Sequence, residues 1–129
     1  MTPAEAKKAA AKAKRERFEN QFAAQILAAG LPPPIMQFRF AKDIGRQWRA
    51  DFAWPDFGLL LEVQGGGFVA GRHTRGKGHE DDCERKSVAV TLGYAIVEVT
   101  PRHVREGKAL AWLAGALMRR GMLDARRAA

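Results

Sequence analysis

"ADFAWPDFGLLLEVQGG", residues Ala50 to Gly66, is the stretch on which the reading of this chain turns. Two runs of aromatic and aliphatic residues flank a Pro-Asp-Phe-Gly turn, the pattern of a β-hairpin. Yet Asp51, Glu62 and Gln64 stand among the apolar residues, and charge is rarely buried without a partner. With Asp56-Phe57 as a two-residue loop, Pro55 faces Gly58, Trp54 faces Leu59, and Asp51 faces Glu62. Directly opposed side chains share one side of a sheet, with Cβ atoms about 5 Å apart. Two carboxylates that close repel unless a cation or a proton lies between them. A hard divalent cation such as Mg²⁺ prefers oxygen ligands of this kind. Two acids on a solvent face, paired with Lys or Arg, remain the plainer alternative.

The flanking sequence supplies the other elements. Thr2-Pro3 reads as a helix N-cap with Pro at the first helical position, and the helix continues to Ala29, where Gly30 stops it. Its first half, Ala4 to Lys14, has no large apolar residue and reads as a basic extension (1–15). In its second half Phe18, Phe22, Ile26 and Ala29 share one face. Glu19 falls on that apolar arc between Phe22 and Ile26, and Glu16 sits near the arc's edge. A rigid "LPPP" connector leads into a strand over Ile35 to Phe40 and a turn at "AKDIG". A second strand spans Arg46 to Trp54, with Trp48, Ala50, Phe52 and Trp54 expected on one face; the third spans Leu59 to Gln64. After a Gly-rich loop come a helix over His79 to Gly93 and a largely apolar strand over Tyr94 to Thr100. A helical turn at "PRHVREG" precedes a last helix, Lys108 to Arg120. The expected order is α-β-β-β-α-β-α in a single domain, residues 1–129, with a basic tail over 121–129.

Composition narrows the partner. Lys and Arg number 22 against 14 for Asp and Glu, a formal charge of +8. Such a surplus on a small domain points first to nucleic acid. A single cysteine, Cys83, allows no internal disulfide and no Cys-based zinc site, which suits a reducing cytoplasm. No apolar run approaches the roughly 18 residues that a membrane span needs, and the N-terminus lacks the apolar core of a secretory signal.

The loop from Gly65 to Gly78 holds six glycines together with Arg72, His73, Arg75 and Lys77. Glycines let backbone approach a phosphate chain, and the cations neutralise it. Phe68 is placed to wedge or stack against a base, and His73 to act as a general acid or base or to bind phosphate. The loop is not a P-loop, because Gly78 rather than Ser or Thr follows Lys77. Arg46 and Arg49 lie on or near the acid face as candidate DNA contacts. His103, at a helix start, reads as structural.

The run "RADFAWPDFGLLLEVQGG", with the helix before it and "GRHTRGKG" after it, resembles the PD-(D/E)XK nuclease superfamily. The likeness is to its compact branch, akin to very-short-patch-repair and small phage-type endonucleases, and covers roughly Phe18 to Val104. It implies an α/β restriction-endonuclease-like core, a mixed central sheet flanked by helices, and metal-dependent phosphodiester hydrolysis. By that resemblance Asp51 and Glu62 bind the metal with the Val63 carbonyl, and Glu19 matches an acid that some members add from the first helix. Mg²⁺ is the implied cofactor, with Mn²⁺ able to substitute. Gln64 stands where many members have Lys, a departure from the pattern. Lys86, sharing a helix face with His79, Cys83 and Val90, is the candidate replacement cation. The expected function is a DNA endonuclease, structure- or damage-directed, monomeric or homodimeric, acting on double-stranded or branched DNA in the cytoplasm. The alternative is a non-catalytic nucleic-acid-binding module on the same fold, with Gln64 as the mark of lost catalysis. A basic RNA-binding protein would account for the charge but not for buried acids.

Overall fold

The structure, a computed structural model, describes residues 1–65 and 76–122. It is an α/β protein with one four-stranded mixed open sheet and helices on both faces. No helix among the described residues is long and apolar enough to cross a membrane.

Helix α1 (Pro3–Ala28) starts at a capping box: the Glu5 amide donates to the Thr2 hydroxyl and the Thr2 amide to the Glu5 carboxylate, each at 3.1 Å. Its first eight residues are exposed, so this part of the helix rests on its cap and on intrinsic propensity alone. Further along, Glu19, Phe22 and Ile26 are buried and Phe18 is partly so, while Ala29 is exposed. The Leu31 to Pro34 connector is pinned by the Trp54 indole, which donates to the Pro32 carbonyl at 2.8 Å.

Strand β1 (Ile35–Phe38) lies at the sheet edge, followed by β2 (Ala50–Trp54), β3 (Leu59–Val63) and β4 (Ala95–Val99) in that spatial order. The first three run antiparallel and β4 is parallel to β3. β2 is shorter than the expected Arg46 to Trp54. The Arg46 amide closes a turn onto the Ala41 carbonyl at 3.1 Å, and Trp48 turns aside to stack on Phe40, so the ladder begins only at Ala50. The expected common face of Trp48, Ala50, Phe52 and Trp54 divides for the same reason. Phe52 and Trp54 join the core beneath α1, whereas Trp48 and Ala50 pack with Phe40, Ala53 and Leu60 on the other side. β1 likewise ends before Phe40, which turns into that second cluster.

The hairpin turn needs its glycine. Gly58 has φ +59, and a Cβ there would sit 2.8 Å from the Gly93 carbonyl oxygen. Arg120 clamps the same corner, donating to the carbonyls of Phe57 and Gly93 at 2.8 Å each.

Helix α2 (Gly76–Thr91) crosses one face of the sheet and begins three residues earlier than expected, inside the Gly-rich stretch. Helix α3 (Pro101–Arg105) is closed by Thr100 and His103, which cap each other, so His103 is structural at this position. Helix α4 (Lys108–Arg119) packs Ala109, Leu113 and Leu117 against Phe22, Ile26, Phe52 and Leu61. Trp112 and Met118 of the same helix are about half exposed. Met122, expected in the basic tail, is buried in the same cluster.

Candidate functional site

The hairpin pairs Trp54 with Leu59, Ala53 with Leu60 and Phe52 with Leu61, the register expected from the sequence. One further step sets Asp51 opposite Glu62. There the ladder gives way to side-chain chemistry. Asp51 Oδ2 accepts the Val63 amide at 2.8 Å, so the carboxylate takes a hydrogen bond that a backbone carbonyl would otherwise receive.

On its other side Asp51 meets Gln37. The β1–β2 pairing steps from Met36–Phe52 to Phe38–Ala50, and Gln37 falls between them, across from Asp51. Gln37 has φ +50, the one positive φ among the described non-glycine residues. That conformation is disfavoured for a residue with a Cβ and persists only where surrounding contacts enforce it. Here its Nε2 donates to both carboxylate oxygens of Glu19, at 3.0 and 3.2 Å, and lies 3.4 Å from Asp51 Oδ1. One amide thus ties a helix carboxylate to a strand carboxylate at the open sheet edge.

Glu19 is only 5% exposed. Burial pushes its carboxyl above the ordinary Glu value; the Gln37 amide opposes the push, the negative charge of Asp51 adds to it, and Arg15 one turn earlier eases it. The helical arc that singled out Glu19 therefore marks a carboxylate held in the structure at energetic cost.

Glu62 has a different environment. Arg85 grips it with both guanidinium nitrogens, Nη1 on Oε2 and Nη2 on Oε1, the latter at 2.8 Å. Such bidentate pairing is the strong, directional form of a charge-assisted hydrogen bond. Glu62 stands beside Glu98 in the parallel β3–β4 register. Lys86, next to Arg85 on α2, pairs with Glu98 at 2.6 Å. Asp82, one turn earlier, accepts from both cations, Arg85 at 2.8 Å and Lys86 at 3.0 Å. Burial works against the charge of Arg85, yet Glu62 and then Asp82 outweigh it and raise its pKa. Lys86 is raised in the same way, against burial, by Glu98 and Asp82. Burial would also raise Asp82, but Arg85 and Lys86 reverse the sign and lower it.

Lys86 does turn toward the sheet, as expected, but onto Glu98 and Asp82; the cation against Glu62 is Arg85. The inward stripe of α2 is Asp82, Arg85, Lys86 and Ala89, at i, i+3, i+4 and i+7, rather than His79, Cys83, Lys86 and Val90. Val90 is 63% exposed. The buried Ala89 was the available signal for this stripe. Gln37 had no comparable signal, since its place opposite Asp51 depends on how the short 3-10 turn Lys42–Ile44 sets the first pairing.

The remaining candidates divide into three groups. Arg46 is engaged, donating to Glu84 at 2.7 Å with its guanidinium 4.4 Å over the Trp48 ring. Arg49 and Lys77 are exposed, and Gln64 is partly buried, its backbone N–H donating to the Val99 carbonyl at 2.7 Å. Phe68, Arg72, His73 and Arg75 lie outside the described residues.

For a divalent cation, the Glu19–Asp51 pair is the fitting part. Both side chains offer hard oxygens, and at the Glu19 carboxylate burial and the Asp51 charge outweigh the Gln37 amide and Arg15. Glu62, held by Arg85, lies outside that pair. Among the described residues no group of three or more His, Cys, Asp or Glu side chains is arranged to hold a metal ion. Comparison with protein-family models, with curated proteins and with solved structures finds no match for this chain.

Proposed function

We propose that this chain is a metal-dependent DNA endonuclease with a restriction-endonuclease-like core of the PD-(D/E)XK type, acting on double-stranded or branched DNA. One observation carries the reading: the Gln37 amide gathers Glu19 and Asp51, from a helix and a strand, at the edge of a sheet in a strongly basic chain. A structural role alone gives little reason to bury Glu19 beside a second acid and to strain Gln37 in doing so.

In this reading Asp51, Glu19 and the Val63 carbonyl would hold Mg²⁺, or Mn²⁺ in its place. A bound divalent ion supplies a water of lowered pKa and positive charge on the scissile phosphate. The chain's own residues do the rest. The Val63 amide fixes the orientation of Asp51, and Gln37 fixes Glu19. Burial raises the Glu19 carboxyl above its ordinary value, and a cation beside it would favour its ionised form. Arg85 keeps Glu62 in place; released from that pair, Glu62 would be a further oxygen ligand. Gln64 orients water rather than contributing charge. The exposed Arg49 and Lys77 are assigned to phosphate contact, as are Arg72, His73 and Arg75 of the Gly-rich segment, with Phe68 assigned to stacking on a base.

A second reading, a nucleic-acid-binding module on the same fold without catalysis, is favoured by the Arg85–Glu62 pair, which occupies one of the two motif acids. Both are tested on purified protein with plasmid, branched and single-stranded DNA in Mg²⁺ or Mn²⁺. Nicking that disappears in Asp51→Asn and in Glu62→Gln, with DNA binding kept, is the expected result. A wild-type protein that binds these DNAs and cuts none of them leaves the binding module as the function.

A further inference from the structure

A cleft of about 560 Å³ lies between α1 and α3, and none of Glu19, Asp51 or Glu62 lines it. Lys14, Arg17 and Phe18 face it from α1, and Arg102 and Arg105 from α3. The α1 residues follow helical i, i+3, i+4 spacing, so they form one stripe; the two arginines of α3 are likewise three apart. Four cations thus stand on two walls, with no carboxylate in the lining. The nearby acid is Glu106, which Arg102 contacts at 2.9 Å and Lys108 at 3.0 Å. One carboxylate shared by two cations leaves the cleft with a net positive charge. Between the walls lies an apolar floor, the buried Pro101 and the partly buried Phe18, which packs against the core.

We propose that this cleft binds the phosphodiester backbone of a nucleic acid, as a contact surface separate from the carboxylate site. It rests on the reading of the chain as a nucleic-acid-handling protein and adds where a second stretch of the strand is held. Like charges gathered from two elements repel unless a polyanion crosses between them. A concave surface with cations on both walls and an apolar floor fits a linear polyanion better than a flat anionic membrane. α1 carries both this stripe and Glu19, so a strand held in the cleft is tethered by the same helix that contributes to the acid pair.

The test is fluorescence anisotropy with a labelled duplex and a matching single strand, in EDTA so that no cleavage intervenes, over a range of salt. Arg17→Gln/Arg105→Gln keeps much of each side-chain stem while removing two cations. Lys42→Ala/Arg119→Ala removes the same charge outside the cleft, and circular dichroism checks that all variants fold. The cleft variant is expected to bind about tenfold more weakly, with a salt dependence of log K shallower by about 2, while the control changes by less than about twofold. Equal losses in cleft and control variants reduce the effect to net charge and overturn the proposal. Binding to anionic vesicles that is lost in the cleft variant, with DNA binding kept, reassigns the cleft to a membrane surface. Wild-type protein that binds neither nucleic acid sinks the nucleic-acid reading as a whole; wild-type binding that the cleft variant retains sinks the cleft alone.

Discussion

The carboxylates on the α2 side of the sheet are gripped by cations, whereas those at the β1 edge are bridged by a neutral amide. Glu62 and Glu98 stand side by side on β3 and β4, and consecutive residues of α2, Arg85 and Lys86, answer them one for one with Asp82 between. Glu19 and Asp51 instead share the neutral amide of a strained Gln37. The first group has the form of an ion-pair lattice that holds a helix on a sheet. The second leaves negative charge less fully balanced, as sites that bind a cation commonly do. Neighbouring acids in one small sheet can therefore serve different ends, and the identity of the nearest donor tells them apart.

The sharpest way to break the comparison is Arg85→Ala. It leaves Glu62 buried without its cation and should destabilise the fold by about 3 kcal/mol in urea unfolding. Adding Glu62→Gln to that variant should recover most of the loss; if it does not, Arg85 acts through packing rather than charge. Gln37→Ala removes the bridge at the other site while keeping a Cβ in the strained conformation, and should cost about 1 to 2 kcal/mol. Glu19→Gln should move stability the opposite way. A raised carboxyl means that the folded state holds its proton more tightly than the unfolded chain, so ionising Glu19 disfavours folding. That penalty is absent below the ordinary value of 4.5 and develops as pH rises from there through the raised pKa. The variant should therefore melt about 3 °C higher at pH 7 and lose that advantage in acid. A Tm gain independent of pH would show that charge is not the cause. Lys86→Ala should have the smallest effect, about 0.5 kcal/mol, because its pair with Glu98 is partly solvent-exposed.

Much of this was legible in the residues. The hairpin register followed from one Pro-Asp-Phe-Gly turn, because pairing in a short hairpin is set locally by its loop. Glu19 was visible as an acid on an apolar helical arc, since helix geometry alone fixes which residues share a face. Arg85 is not legible in the sequence because adjacent helical stripes differ by one residue, and both of those available on α2 mix polar with apolar residues. Gln37 is not legible in the sequence because the β1–β2 register spans a longer connection. Trp48 escaped its expected face because aromatic stacking on Phe40 and a cation over its ring outweighed strand extension.

The sequence by itself determined the α/β class, the order of its main elements and the hairpin register from Trp54–Leu59 to Phe52–Leu61, for these depend on periodicity and short-range turns. Only the tertiary structure decided which partner each acid has. A carboxylate's partner is chosen by side chains that converge from distant elements, and that convergence depends on how α1 and α2 seat against the sheet. It placed Arg85 on Glu62, Lys86 on Glu98 and a strained Gln37 between Glu19 and Asp51.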